Sequence, residues 1–186
     1  MQIVVTFQDR SLSDYANRLE ALSAGSGRAV LASALNQAGG VVRHKTVQAE
    51  TAQTGLPSAT IDRAQHEIEA DGGSLRFTIV SRGGDVRLKF FGAKESGGGV
   101  VAHPWNKSVY VAGAFTQAGF HGVRKALPWG GEVKQRVGSG RLPLKTVHSG
   151  LFIPEEMTKG STAKAFDAGF QVMASTIVSR LGSLLP

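Results

Sequence analysis

The chain has 186 residues and a formal net charge of +7. It contains no cysteine, which excludes disulfides and thiolate metal sites and is the usage expected of assembly in a reducing cytosol. The apolar run Ile3–Phe7 is too short for a signal-peptide core, and no stretch approaches the ~20 apolar residues that span a bilayer, so a soluble, non-secreted chain is expected.

The positive charge is concentrated. Residues 71–160 hold 13 Lys and Arg against 6 Asp and Glu, whereas residues 1–70 hold 6 against 7. A basic middle favours polyanions or an acidic protein partner and is silent about fold.

In chain order, Gln2 to Phe7 reads as a short strand. Ser11 to Asp14 has capping-box spacing, and Leu12, Tyr15, Leu19 and Leu22 then recur at helical intervals. A longer helix is expected from about Arg28 to Gly55, with Leu31, Leu35, Ala38 and Val42 on one stripe. Gly39-Gly40 inside it implies a bend or the close approach of another backbone, since each glycine costs about 1 kcal/mol against alanine. Pro57 ends the helix by disfavouring helical geometry at Leu56. One or two helical turns follow at Pro57–Arg63, and His66–Ala70 reads as a strand.

The next stretch looks like a hairpin. Leu75, Phe77 and Ile79 alternate in one run, Val86, Leu88 and Phe90 in the next, and Gly83-Gly84 between them suits a tight turn. Arg76, Arg82, Arg87 and Lys89 would then form a basic face opposite the apolar one. Val100–Val111 reads as two short strands about a turn at Pro104–Lys107. The glycine-rich stretch from Gly119 to Gly140 shows little periodicity and reads as a long loop. Arg141–Lys145 and Gly150–Pro154 resume an extended path. The last helix is capped by Ser161 or Thr162, and its seam is Phe166, Phe170, Met173, Ile177 and Leu181. Its seam packs on the sheet or on a neighbouring copy. These elements define an α+β fold: an antiparallel β-sheet or small β-sandwich packed by N-terminal helices, with a long C-terminal helix. Residues 1–160 form the domain and 161–186 the appended helix.

Catalytic patterns are not visible. His44, His66, His103, His121 and His148 lack zinc-type spacing. Gly138-Ser139-Gly140 lacks the intervening residues of a nucleophile elbow, and Gly97-Gly98-Gly99 lacks the lysine and helix of a phosphate loop. No enzyme activity and no cofactor are expected. Trp105 reads as an anchor of its hairpin or as a contact with a neighbouring subunit, and Trp129, after Leu127-Pro128, leans toward an interface.

Four features stand in a fixed order: Thr54-Gly55-Leu56-Pro57 closing an alanine-rich helix, the Gly99–Trp105 hairpin, Gly113-Ala114-Phe115, and Arg141-Leu142-Pro143-Leu144 followed by Gly150, Ile153 and Pro154. Their order resembles the prophage minor tail protein Z family, the tail-completion proteins of long-tailed bacteriophages, over about residues 28 to 158. Gln53 stands where that family commonly has an acid, Ser149-Gly150-Leu151-Phe152 replaces a Gly-Pro-Ser type turn, and the C-terminal helix lies beyond the match.

The resemblance implies a structural virion protein, assembled in the host cytoplasm and located at the head-proximal neck. It would complete the tail and join it to the head connector as a homo-oligomeric ring, commonly hexameric. Its partners would be the tail tube or terminator protein and the connector proteins. The lumen is a candidate path for genomic DNA, and no membrane is involved. A head-to-tail ring needs two different patches on each subunit. The candidate subunit or partner interface comprises Trp105, Phe115, Trp129, Arg141, Leu142, Ile153 and Phe170. The competing reading is a nucleic-acid-binding module that uses the basic face of Arg76, Arg82, Arg87 and Lys89.

Overall fold

Two long helices and thirteen short strands make up the computed structural model, which describes residues 1–6, 26–119 and 123–182. The helix expected from Ser11 lies outside them. The alanine-rich segment forms α1 (Ser26–Thr54), 29 residues or about 43 Å of helix. Gly55 stops it at a φ of 76°, and a side chain there would collide with Asn106. The Gly55 amide donates to Thr51 O at 3.0 Å, and Leu56 N donates to the Thr54 hydroxyl at 3.2 Å. Thr54-Gly55-Leu56-Pro57 is thus a helix stop, followed by the short α2 (Ser58–Ala64).

Gly39 does admit a close neighbour, but the neighbour is the ring of Phe77 rather than a backbone. Gly40 faces open space.

The last helix is α4 (Gly160–Gly182), preceded by a single turn, α3 (Ile153–Glu156). Its seam from Phe166 to Ile177 lies along α1, and the Leu181 side chain is outside the description. Met173 and Ile177 are buried against Leu31, Leu35 and Val42, and Gly169 brings the helices together where a methyl group would press on Val42. Phe166 also reaches Phe77, Ile79 and Met157 beside the sheet. The helix is not capped by its own serine or threonine. Gln53, at the far end of α1, accepts hydrogen bonds at its Oε1 from Thr162 N (3.1 Å), Ser161 Oγ (3.0 Å) and Thr162 Oγ1 (3.2 Å). The Gln53 amide donates to Glu156 Oε2 at 2.8 Å, so one side chain ties three helix ends.

The expected hairpin across Gly83-Gly84 does not form. Strand β3 (Thr78–Arg82) lies between β1 (Gln2–Thr6) and β2 (Gln65–Ile68), antiparallel to both. Asp71 turns the chain from β2 toward β3, its Oδ1 accepting from Gly73 N and Ser74 N at 2.7 Å. Strand β4 (Asp85–Arg87) pairs instead with β13 (His148–Phe152). Asp85 Oδ1 accepts from Gly150 N at 2.7 Å and Val86 O accepts from Ser149 Oγ at 2.8 Å, which holds that pairing. The two halves of the imagined hairpin feed different cores. Phe77 and Ile79 join Met157, whereas Val86 and Leu88 join Leu56, Ile61, Val100 and Leu151. After Arg87 the chain winds into a 3₁₀ turn at Leu88–Phe91, so Phe91 is buried and Phe90 is exposed. Leu75 sits outside the strand with a φ of 43°.

Strands β5 (Lys94–Ser96), β6 (Gly99–Ala102) and β7 (Val109–Ala112) form a meander, with the turn at Pro104–Asn106 between the last two as expected. Beyond it, β8 (Ala114–Phe115) lies beside β11 (Lys134–Arg136), which pairs on its other side with β12 (Leu144–Thr146). A two-residue ladder joins β9 (Gln117–Ala118) to β10 (Lys125–Ala126). The described part of Gly119–Gly140 is therefore not one loop, because it supplies β10 and the central strand of a sheet. Strands this short carry no readable alternation. The architecture is α+β, and no described helix is long and apolar enough to cross a membrane.

Candidate protein interface

Strands β8, β11 and β12 meet at one corner of the molecule, and the side chains there are apolar and basic. Arg136 leaves β11 over the ring of Phe115, with 5.7 Å between guanidinium carbon and ring centre. Its Nη1 donates to Arg141 O at 2.8 Å, which folds the 137–143 connection back on the sheet. Val137 N donates to Pro143 O at 3.1 Å and closes the base of that connection. On the neighbouring turn, Lys134 Nζ lies 5.6 Å from the centre of the Trp129 ring and donates to Thr146 Oγ1 at 2.6 Å.

Between these groups is a hollow of about 270 Å³, walled by Phe115, Leu127, Trp129, Arg141, Leu142 and Leu144 among others. Of the lining residues, Leu142 is 72% exposed and Trp129 is 36% exposed. Removing such side chains from water yields roughly 25 cal/mol per Å² of apolar area. Tryptophan beside arginine is a pair enriched at protein interfaces.

Four of the seven candidate residues, Phe115, Trp129, Arg141 and Leu142, are thereby brought together. The other three lie elsewhere. Ile153 is buried in the central core, Trp105 is half-buried against the same core, and Phe170 is half-buried along the α1–α4 contact. Leu127 and Leu144 also line the hollow and were missed. Their only signal in the chain is apolar character in a stretch without periodicity.

Arg76, Arg82, Arg87 and Lys89 do not share one sheet face, because β3 and β4 belong to different sheets. Arg87 and Lys89 instead converge on Glu132, at 2.6 Å and 2.9 Å from its Oε1. Burial pushes the Glu132 carboxyl up, but hydrogen bonds and charge from Lys89 and Arg87 outweigh it and hold the group below the ordinary carboxylate range. Part of the basic surplus is thus neutralised inside the fold. Arg76 and Arg82 remain exposed.

Among the described residues, no group of three or more His, Asp or Glu side chains is placed to hold a metal ion. No protein-family model, curated protein or solved structure matches the chain.

Proposed function

We propose that this chain is a structural virion protein that completes the head-proximal end of a bacteriophage tail as a ring and joins it to the head connector. The observation that carries the reading is the corner where Phe115, Trp129, Arg141 and Leu142 expose apolar area beside positive charge. Such a surface is suited to another protein. The ordered motifs from Thr54 to Pro154 support the same reading through the family they resemble. In it, copies of the chain contact one another and the tail tube or terminator protein, and the basic surplus meets acidic connector surface. Genomic DNA passes through the lumen. A conduit lined by dense phosphate contacts would hold DNA in a salt-dependent way, which favours protein as the partner of the basic groups.

The nucleic-acid reading draws less support, since Arg87 and Lys89 are committed to Glu132. The test is the assembly state of the purified chain by sedimentation velocity and negative-stain electron microscopy. Closed rings, alone or with tail-tube and connector proteins, are the expected result. A strict monomer at high concentration in every mixture overturns the reading.

A further inference from the structure

Strand β12 has one side paired and one side open. Val137 N donates to Pro143 O at 3.1 Å and Val147 N donates to Val133 O at 2.9 Å, so residues 143 and 147 turn their backbone groups toward β11. Backbone groups alternate sides along an antiparallel strand, and those of Leu144 and Thr146 therefore face away from β11. Val147 O accepts from Leu88 N at 3.1 Å, which sets the end of β4 on the β11 side as well. Among the described residues nothing pairs with the other side, where β12 is the edge of its sheet.

Side chains alternate too. Leu144 opposes Arg136 and Thr146 opposes Lys134, so both lie on the face where Arg136 covers Phe115 and Leu144 walls the hollow. Lys145 points to the other face and is exposed, as is Arg141 just before the strand. Among the described residues neither makes an ion pair. From Ser96 to Pro154 the chain carries seven Lys and Arg and a single carboxylate, Glu132, which Arg87 and Lys89 already neutralise. Two β12 edges paired about their centres would set Lys145 against Lys145, and like charges directly opposite oppose such pairing.

We propose that β12 receives an extended acidic segment of another protein as an added strand. Main-chain bonds to Leu144 and Thr146 hold it, an apolar side chain opposite Leu144 packs at the wall of the hollow, and a carboxylate opposite Lys145 pairs with it. The contact rests on the reading of this corner as a protein interface and names the chemistry of the partner.

The probe is a short fluorescent peptide that alternates glutamate with valine around a central phenylalanine, titrated into the full chain by anisotropy. It binds, and a shuffled peptide of the same composition binds about tenfold more weakly. Methylating alternate backbone nitrogens abolishes binding for one set and spares it for the other, the mark of a paired strand. Lys145→Glu and Arg141→Glu each weaken it about tenfold, with folding verified by circular dichroism. No binding, equal binding of the shuffled peptide, or equal loss from both methylated sets overturns the added strand. Displacement of the peptide by a single-stranded oligonucleotide of matched charge overturns it in favour of nucleic acid. Rings that K145E prevents with no partner present assign the edge to a second copy and overturn the acidic partner. Rings from a chain that ignores the peptide overturn the strand and leave the ring reading standing, whereas peptide binding by a chain that stays monomeric in every mixture upholds the strand and overturns the ring.

Discussion

Gln65 donates its side-chain amide to Glu50 Oε2 at 2.6 Å, and both side chains are closed off from solvent. Gln65 opens β2 and Glu50 lies on α1, so this bond fastens the edge of a sheet to the long helix. Burial above all raises the Glu50 carboxyl to about 8, the Gln65 bond opposes the shift, and the charge of Glu156 adds to it.

At neutral pH, Glu50 is therefore protonated in the folded chain and ionised in the unfolded one. A carboxyl with a raised folded pKa leaves stability untouched below its unfolded value. Stability then falls as pH rises from about 4.5 to about 8, by up to about 1.4 kcal/mol per pH unit from this group. Glu50→Gln keeps an acceptor for Gln65 and removes the proton. Urea unfolding at pH 5, 7 and 9 should show a flatter profile for E50Q than for the parent. Superimposable profiles would dismiss the assignment.

The neighbouring glycines of α1 should respond in opposite directions. Gly39→Ala drives a methyl group into the Phe77 ring and should cost about 1–3 kcal/mol. Gly40→Ala meets nothing and should stabilise by up to about 1 kcal/mol through helix propensity. Thermal unfolding of both variants decides it, and a shared sign contradicts the packing described.

Gln53 caps α4 from another helix. Gln53→Ala should cost about 0.5–2 kcal/mol, the usual worth of an N-cap. Amide exchange should speed up at Thr162, whose N–H donates to Gln53, while the middle of α1 stays protected. Unchanged exchange at the Thr162 amide would show that the cap is not made in solution.

Glu132 answers to acid rather than base. Its lowered carboxyl pKa means that its contribution is present above about 4.5 and disappears as pH falls through the folded value. Glu132→Gln leaves Arg87 and Lys89 without their counter-charge and should cost about 1–3 kcal/mol at pH 7, with the difference shrinking toward pH 3. A pH-independent cost would assign the loss to packing alone.

Where a structure depends on neighbours in the chain, the sequence was sufficient. The periodicity from Leu31 to Val42 and from Phe166 to Ile177 marked both long helices, Pro57 and Gly55 marked a stop, and Pro104 marked the turn between β6 and β7. Trp129 was legible as an interface candidate from its place after Leu127-Pro128, whereas Phe115, Arg141 and Leu142 were marked through the motifs that resemble the tail-completion family. Strand pairing was a different matter. Gly83-Gly84 permits a hairpin or a departure equally well, and the choice fell to burial: Phe77 and Ile79 fill one core while Val86 and Leu88 fill another, with β13 arriving from more than sixty residues away. Tertiary structure alone also sorted the remaining candidates, because Ile153 and Leu142 are similar side chains and only the folded chain places one in the core and the other in water. Local periodicity records which face a residue takes, but the partner of that face is set by contacts between distant segments, and no single segment encodes them.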